Sequence, residues 1–398
     1  MTWPRARGDV VISITRELRH SGRADSKPPF VSLKIAMLAP PWLPVPPSGY
    51  GGVESVISLI TGELVERGHD VTLFAAPGSL SAAAVCHVLP EAHPDEIERA
   101  LYEADHVARV FAFLDQAADR GLAFDIVHDH CGFTGVAMAD RIDVPMVHTL
   151  HGPFTPGTGQ FYQEHGHKAL LVAISEAQRS SAPEGVAVAS VVPNPVDLDD
   201  WPFEPYKQDY LVWLGRMHET KGPHRAIQAA REAGCPLVLA GPVQPGQEAF
   251  FRESVAPHID GKAVRYVGEI GGKVKADLLA GARALLMPIR WNEPFGMVMV
   301  EALACGTPVI SFDEGAACEV VRDGVTGFLV KDEAAMAEAV SAVHSLDARD
   351  CRADVAARFG VERVTAAYEH LYRATAMVSN GPPLSSALVA EVLEGPAA

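Results

Sequence analysis

Short apolar runs alternate with amphipathic stretches along most of the chain. The first run covers 33–40, and a proline-rich loop separates it from a stretch whose apolar residues fall on one face of a helix. Gly68 ends this predicted helix, and a second apolar run begins at Asp70. The pattern therefore predicts a strand, a helix and a second strand, which is the opening of a parallel βαβ unit.

The same alternation continues to residue 377. Further apolar runs interpreted as strands lie at 124–130, 144–151, 168–174, 210–215, 236–242, 264–270, 284–289 and 307–311. Helical periodicity is found at 91–120, 223–233, 296–305, 333–344, 347–359 and 361–377. Strands that alternate with helices predict the α/β fold class with parallel sheets.

The composition agrees with a globular protein. The chain has 398 residues, 48% of them hydrophobic, and two cores are favoured for an α/β pattern of this length. No apolar run reaches the length of a membrane span, and the first residues lack the apolar core of a signal peptide. The six cysteines stand singly, which indicates reduced thiols instead of a disulfide frame or a zinc site. We therefore expect a soluble, cytoplasmic protein without a transmembrane segment.

Acidic residues are concentrated in the first half of the chain. Residues 31–200 contain 8 basic and 22 acidic side chains, a balance of −14, whereas residues 207–360 contain 17 and 20, a balance of −3. An acidic surface repels nucleic acid and anionic lipid. We therefore expect no nucleic-acid partner, and peripheral membrane contact is not favoured although it is left open. An anionic ligand would bind more easily in the second half.

A glycine-rich loop joins the first predicted strand to the first helix. Gly49, Gly51 and Gly52 could suggest a dinucleotide-binding loop, but Glu54 stands where that fingerprint requires its third glycine. The nearest acid, Asp70, begins the second strand instead of ending it. We therefore reject NAD binding, and the local sequence alone could indicate no more than a tight turn.

Two patterns could suggest a metal site. His128, Asp129 and His130 end one strand, but neighbouring strand residues point to opposite faces and no matching ligand group is evident nearby. Asp197 and Asp199 form a D-x-D sequence, but the prolines around it are typical of a linker. We interpret the histidines as hydrogen-bonded strand-end residues and the D-x-D sequence as a coincidence.

Charged residues follow one strand of the second half. Arg216 and Lys221 lie between this strand and the helix that begins at Pro223. Two cations beside a helix N-terminus suit a diphosphate, because Arg can bind two oxygens and Lys supplies a point charge. Taken alone, the segment could equally be a loop with solvated charges.

A second charged pattern surrounds the predicted helix at 296–305. Glu293 precedes the helix, and Glu301 lies about one turn inside it. Helix side chains lean toward the N-terminus, so both carboxylates are expected at one mouth, beside the free N–H groups of residues 295–298. Carboxylates could hold sugar or ribose hydroxyls there, and the N–H groups could hold phosphate. Taken alone, the two acids could also be a capping residue and a solvated helix residue.

The combined spacing is more specific. Glu-x7-Glu with Pro-Phe-Gly inside it, closed by Glu-Ala-Leu-Ala-x-Gly-Thr-Pro-Val-Ile, resembles the signature of the retaining glycosyltransferases of family 4. The resemblance covers roughly residues 33–377 and implies the GT-B fold, in which two doubly wound Rossmann-like domains face each other across a cleft.

The resemblance also implies a domain organisation. Residues 31–200 would bind the acceptor and residues 207–360 the nucleotide sugar, while a helix at 361–378 would cross back to the first domain. Residues 1–30 are expected to be a disordered extension and residues 379–398 a loose tail.

The resemblance assigns roles to individual residues. His151, at the end of a Thr-x-His-Gly segment, would shape the donor-sugar pocket, and Ile270 would pack near the nucleotide base. The residues expected to be catalytic are Arg216, Lys221, His151 and Glu293. The residues expected to bind the donor are Gly51, Gly52, Arg216, Lys221, Ile270, Glu293, Phe295, Gly296, Met297, Val298 and Glu301.

The implied reaction is the transfer of a hexosyl group from a nucleoside diphosphate sugar to an acceptor hydroxyl, with retention of anomeric configuration. No cofactor or metal is expected, since two cations would stabilise the departing diphosphate. The acidic first half favours a soluble, neutral or cationic small acceptor over an anionic lipid. Three alternatives remain: a nucleotide-sugar 2-epimerase with the same fold, a phosphorylase-like enzyme, and a non-catalytic nucleotide-sugar-binding protein.

Overall fold

The computed structural model describes residues 14–15, 31–49, 51–97 and 99–380. Within them the chain forms two β-sheets, each flanked by helices. The predicted extension at 1–30 lies outside the described residues apart from 14–15, and the predicted tail lies outside them beyond Asn380.

The first sheet contains eight strands among the described residues. They are β1 (Ile14–Thr15), β2 (Lys34–Leu38), β3 (Asp70–Phe74), β4 (Ala84–Cys86), β5 (Ile126–Asp129), β6 (Met146–Thr149), β7 (Leu170–Ala173) and β8 (Val188–Val191). Their order in space is β1-β4-β3-β2-β5-β6-β7-β8, and every pair is parallel except β1 with β4.

The second sheet is entirely parallel. Its strands are β9 (Leu211–Leu214), β10 (Leu237–Ala240), β11 (Val264–Tyr266), β12 (Ala284–Met287), β13 (Val309–Phe312) and β14 (Gly327–Val330). Their order is β11-β10-β9-β12-β13-β14, the doubly wound order of a Rossmann-like sheet.

Helices cover the faces of both sheets. They are α1 (Gly52–Glu66), α2 (Ala100–Asp119), α3 (Thr134–Met138), α4 (Pro156–His165), α5 (Glu176–Ser180), α6 (Pro223–Glu232), α7 (Glu248–Phe250), α8 (Gly272–Gly281), α9 (Met297–Ala304), α10 (Ala317–Val320), α11 (Glu333–Ala342), α12 (Ala348–Phe359) and α13 (Val361–Asn380). No helix in the described part of the chain is long and apolar enough to cross a membrane.

The strands are apolar because helices bury them on both faces. All four residues of β10, β12 and β13 are buried, and so are all four of β5 and β6. Continuous apolar runs are typical of parallel sheets of this kind. The predicted α/β fold with two doubly wound domains is therefore confirmed.

The chain crosses between the two halves at two adjacent points. The backbone N–H of Val196 donates to Phe359 O at 2.8 Å, and that of Val361 donates to Val196 O at 3.1 Å. α13 then packs on the first sheet, where Tyr368, Leu371 and Tyr372 are buried in its core. The last helix thus belongs to the packing of the first domain although it follows the second.

Several elements differ from the sequence prediction. The predicted helix at 91–120 was too long, because the turn at Pro94–Glu96 ends before α2 begins at Ala100, and the backbone of Arg99 between them is extended. The elements that were not predicted are β4, β8, β14, α3, α4, α7, α8 and α10, which are short or lack a clear period. These errors lie in strands near the sheet edges and in connecting segments of both domains.

Candidate active site

The cleft between the two sheets holds a cavity of about 270 Å³. Strand order reverses between β2 and β5 in the first sheet and between β9 and β12 in the second. Ligands of doubly wound sheets bind outside the carboxyl ends of the strands at such points. The loops after β2, β9 and β12 all contribute to the cavity wall, so two binding crevices face a common space.

The cavity brings together every residue that the sequence analysis assigned to the site. They are Gly51, Gly52, His151, Arg216, Lys221, Ile270, Glu293, Phe295, Gly296, Met297, Val298 and Glu301. They come from five separate stretches of chain, and the fold alone joins them. The roles expected for them remain predictions.

Arg216 and Lys221 reach the cavity from the loop after β9. The Nη1 of Arg216 donates to Gln244 Oε1 at 3.2 Å, and the ammonium group of Lys221 forms an ion pair with Glu293. The turn between Lys221 and α6 requires Gly222, whose φ is 73° and where a side chain would collide with the carbonyl oxygen of Pro288. This close approach brings the loop after β9 beside the loop after β12.

The loop carrying Glu293 is fixed by backbone contacts. Glu293 O accepts a hydrogen bond from Ala316 N at 3.0 Å, and a Cβ at Gly315 would lie 2.5 Å from Glu293 N. Gly296 caps α9 in a left-handed conformation with φ 85°. The N-terminus of α9 therefore opens into the cavity beside Glu293, whose backbone these contacts hold in place.

Glu301 lies one turn inside α9 and is 7% exposed. Its carboxylate pairs with the Nζ of Lys275 on α8 at 2.7 Å, and this ammonium group lies 5.4 Å from the ring centre of Trp201. Sequence reasoning missed Lys275, because no motif or local spacing links α8 to α9. A buried carboxylate requires a partner, so searching for a cation to match Glu301 could have found it.

The glycine loop of the first domain closes the cavity from the opposite side. Backbone atoms of this loop meet the second domain at Gly271, where an added Cβ would lie 3.1 Å from Gly49 Cα and 3.2 Å from Ser48 O. A Cβ added at Gly52 would lie 4.0 Å from the Cγ of Met297. The loop therefore contacts the mouth of α9 across the cleft.

His151 follows β6 and lines the cavity, half-buried. Its Nε2 lies 2.8 Å from His130 Nδ1. Burial lowers the pKa of His151 to about 3, so the imidazole is neutral near pH 7. In this state it can donate one hydrogen bond and accept another, but it carries no charge.

The residues that could have suggested a metal site, His128, Asp129 and His130, form hydrogen bonds with other side chains. His128 and His130 lie on one side of the strand end, and Asp129 lies on the other, where it pairs with His148 at 2.7 Å. No group of three possible ligands arranged to hold a metal ion occurs among the described residues.

Asn194 is a second site residue that the motif analysis did not single out for binding. It is 6% exposed and lines the cavity, and its Oδ1 is buried without a hydrogen-bond partner in the described part of the chain. A buried amide oxygen without a partner is costly, which favours a ligand donor at this position.

Two sequence models of protein families match the chain. The model of the Glycosyltransferase Family 4 matches residues 50–200, and that of the Glycosyl transferases group 1 matches residues 199–357. Together they cover the described site from the glycine loop to α12.

The chain is also similar to individual proteins. It is 28% identical over 403 residues to a D-inositol 3-phosphate glycosyltransferase of Xylanimonas cellulosilytica, a match covering 85% of this chain and 96% of that protein. AviGT4, a glycosyltransferase involved in avilamycin A biosynthesis, has a solved structure with a TM-score of 0.63 and 26% identity, covering 86% of this chain and 98% of that one. The structure of Anabaena HepE with UDP and glucose gives a TM-score of 0.66 at 21% identity, with coverages of 86% and 99%. These matches confirm the predicted GT-B fold.

The pair between Glu301 and Lys275 can be tested without any ligand. Lys275→Met removes the partner of a buried carboxylate, and we expect it to lower the free energy of unfolding by about 1–3 kcal/mol. Lys273→Met is the matched control, since Lys273 is exposed and its pair, Asp277, lies on the surface of the same helix. Urea denaturation of both variants measures the difference.

Adding Glu301→Gln to Lys275→Met should recover part of the lost stability, because the unpaired charge is then removed as well. Equal free energies of unfolding for the Lys275→Met and Lys273→Met variants would show that the pair of Lys275 with Glu301 does not stabilise the protein.

Proposed function

Because the chain belongs to the group 1 glycosyltransferases of family 4, we propose that it moves a hexosyl group from a nucleoside diphosphate sugar to an acceptor hydroxyl. We further propose that the anomeric configuration is retained and that no metal is required. The observation that carries this proposal is the common cavity of Arg216, Lys221 and the N-terminus of α9, which offers two cations and free N–H groups to one diphosphate.

The leaving diphosphate would bind where the two cations converge. Among the described residues, the partner of Arg216 is the neutral Gln244, so its guanidinium can add an anionic one. Lys221 is paired with Glu293, so a phosphate would share or replace that carboxylate. These fixed charges would stabilise the negative charge that develops as the bond between sugar and phosphate breaks.

The two carboxylates would position the rest of the donor. Glu293, at the mouth of α9, would accept hydrogen bonds from sugar hydroxyls, and Glu301 would accept them from the ribose. The N–H groups of residues 295–298 would contact the sugar and phosphate. Ile270 would pack near the base, and the loop at Gly51 and Gly52 would cover the diphosphate.

Retention would follow from attack on the same face of the sugar that the diphosphate leaves. The acceptor oxygen forms the new bond to the anomeric carbon as the bond to the phosphate oxygen breaks. The departing phosphate takes the proton of the acceptor hydroxyl, so the step needs no base from the protein. His151, neutral in this structure, would orient the sugar.

A screen of nucleotide sugars can identify the donor. HepE was crystallised with UDP and glucose, which makes UDP-sugars the first donors to test beside GDP-, ADP- and TDP-sugars. A donor that binds only the folded state raises the melting temperature, so a thermal-shift screen can select it. For the acceptor we propose a neutral or cationic small molecule, because residues 31–200 carry a balance of −14.

Product analysis separates this proposal from its alternatives. With donor and acceptor present, we expect a glycoside whose anomeric proton coupling shows the donor configuration, and EDTA should leave the rate unchanged. Conversion of the donor without an acceptor would instead indicate an epimerase, and dependence on free phosphate would indicate a phosphorylase. Donor binding without any turnover would indicate a binding protein.

Replacing the cations tests their role in the transition state. Arg216→Ala and Lys221→Ala should each lower kcat by roughly 30- to 1000-fold, which corresponds to about 2–4 kcal/mol, as found for the loss of one oxyanion donor. Arg216→Ala is the cleaner variant, because Lys221→Ala also leaves Glu293 without its partner. Lys331→Ala, at an exposed lysine of the same domain, serves as the control. Near-normal kcat in both site variants would contradict the assignment.

Closure of the glycine loop can be tested at Gly271. Its backbone is not strained, but an alanine side chain would push the loop at Ser48 and Gly49 away by a few tenths of an ångström. We expect Gly271→Ala to raise the donor KM by roughly tenfold, because small displacements of a covering loop misplace the substrate. Gly62→Ala in α1, where a Cβ meets nothing within 4 Å, is the control. Unchanged donor KM in Gly271→Ala would show that the loop does not cover the donor.

A further inference from the structure

A row of hydrogen-bonded side chains leads from the cavity to the C-terminal helix. His151 Nε2 lies 2.8 Å from His130 Nδ1, and His130 Nε2 lies 3.2 Å from His128 Nδ1. The hydroxyl of Tyr372, on α13, lies 2.6 Å from the same His128 Nδ1. We call these four residues the relay.

The imidazoles of the relay are neutral. Burial lowers the pKa of His128 and of His130 well below the usual value, and the neighbouring histidines lower it further. Burial also lowers the pKa of His151 to about 3. Each ring therefore carries one N–H and one lone pair, so the state of one ring determines the next.

Tyr372 determines which atom donates the proton in its hydrogen bond with His128. An oxygen-to-nitrogen distance of 2.6 Å is typical of a hydroxyl donor and short for an N–H donor. The phenol is fully buried and has no other hydrogen bond among the described residues, so its proton would lack an acceptor if His128 donated to it. Tyr372 therefore donates to His128 Nδ1, and His128 carries its proton on Nε2.

The protonation of His128 on Nε2 determines the donor in each remaining hydrogen bond of the relay. His128 Nε2 donates to Thr149 Oγ1 at 2.8 Å. His128 Nδ1 has a single lone pair, which accepts from Tyr372, and His130 Nε2 lies 3.2 Å from the same nitrogen. A lone pair on His130 Nε2 would be repelled there, whereas an N–H can share the acceptor as a second, weaker donor, so His130 is protonated on Nε2. His130 Nδ1 is then an acceptor, and His151 Nε2 donates to it.

The last ring of the relay therefore presents a lone pair to the cavity. His151 Nδ1 is its unprotonated nitrogen, and it has no hydrogen-bond partner in the part of the chain that the structure describes. We propose that Tyr372 is a positioning residue which, through His128 and His130, fixes His151 as a hydrogen-bond acceptor for a hydroxyl of the donor sugar. The sugar contact rests on the proposed function, whereas the tautomer does not.

The placement of Tyr372 gives α13 a role at the site. This helix follows the second domain and packs on the first, so its correct docking is required before His151 has the right tautomer. A hydroxyl held by an acceptor has a defined orientation, which a mixture of tautomers would lose.

The tautomer can be measured directly by NMR of protein labelled with ¹⁵N-histidine. The His151 signals are assigned by their loss in His151→Gln. We expect Nε2 of His151 to have the shift of a protonated nitrogen and Nδ1 that of an unprotonated one. The opposite assignment in the wild-type protein would overturn the proposal, and this test requires neither a variant of the relay nor an active enzyme.

Tyr372→Phe tests the origin of the tautomer. It removes the hydroxyl and keeps the ring, and we expect the His151 signals to shift toward a mixture of both tautomers. Tyr162→Phe is the matched control, because that phenol is also buried and bonds a histidine, His148, which lies outside the relay. An unchanged His151 tautomer in folded Tyr372→Phe would overturn the role of Tyr372.

Kinetics with monodeoxy donor sugars tests the sugar contact. Loss of one hydrogen bond should lower kcat/KM of Tyr372→Phe by roughly two- to tenfold with the complete donor. With the one deoxy donor that lacks the hydroxyl held by His151, wild type and Tyr372→Phe should give the same value. A defect that persists with every deoxy donor would overturn the sugar contact, while inactivity of the wild type with all donors would instead count against the proposed function.

Discussion

The site depends on one constraint, namely that oppositely charged side chains from two adjacent strand ends must meet in a partly buried cleft. The ion pair of Lys221 with Glu293 joins the loop after β9 to the loop after β12, where the strand order of the second sheet reverses. It can form because Gly222 adopts a left-handed turn against the carbonyl of Pro288. The carboxylate of Glu293 satisfies the charge of Lys221, so an entering phosphate must compete with it.

The first domain completes the site through three separate contacts. The glycine loop meets Gly271, and His151 reaches the cavity from β6. A third contact is structural, since the carboxylate of Glu319 accepts hydrogen bonds from the backbone N–H groups of Glu176 and Ala177, at 2.7 and 2.5 Å. The contacts at Gly271 and Glu319 join the two domains through loops and helix ends, outside the hydrogen bonds of either sheet.

The sequence predicted the fold and the cavity wall for different reasons. The fold followed from the alternation of buried strands and helices, which is local in sequence and strong in β2, α1 and β3. The site followed from short motifs, each placed at the end of a strand, and the fold brings those ends together. Short edge elements such as β4 could not be predicted, because three residues carry no measurable period.

The residues that line the cavity could be predicted from the sequence, but the partners of their side chains could not. The sequence placed Glu301 at the mouth of α9, but its partner Lys275 comes from another helix and depends on how α8 packs. Likewise, the histidines at the end of β5 were expected to be satisfied, yet nothing local indicated Tyr372, which lies 244 residues away in the chain. Such contacts arise from tertiary packing, which no motif encodes.

The proposed activity depends on the binding of a diphosphate by Arg216 and Lys221. The most direct measurement compares, by calorimetric titration, the nucleoside diphosphate that most stabilises the protein with its parent nucleoside. Two charge-assisted contacts should make the diphosphate bind on the order of 100-fold more tightly, with a difference that shrinks as salt is added. Equal affinity for the diphosphate and the nucleoside would show that the two cations do not bind the diphosphate.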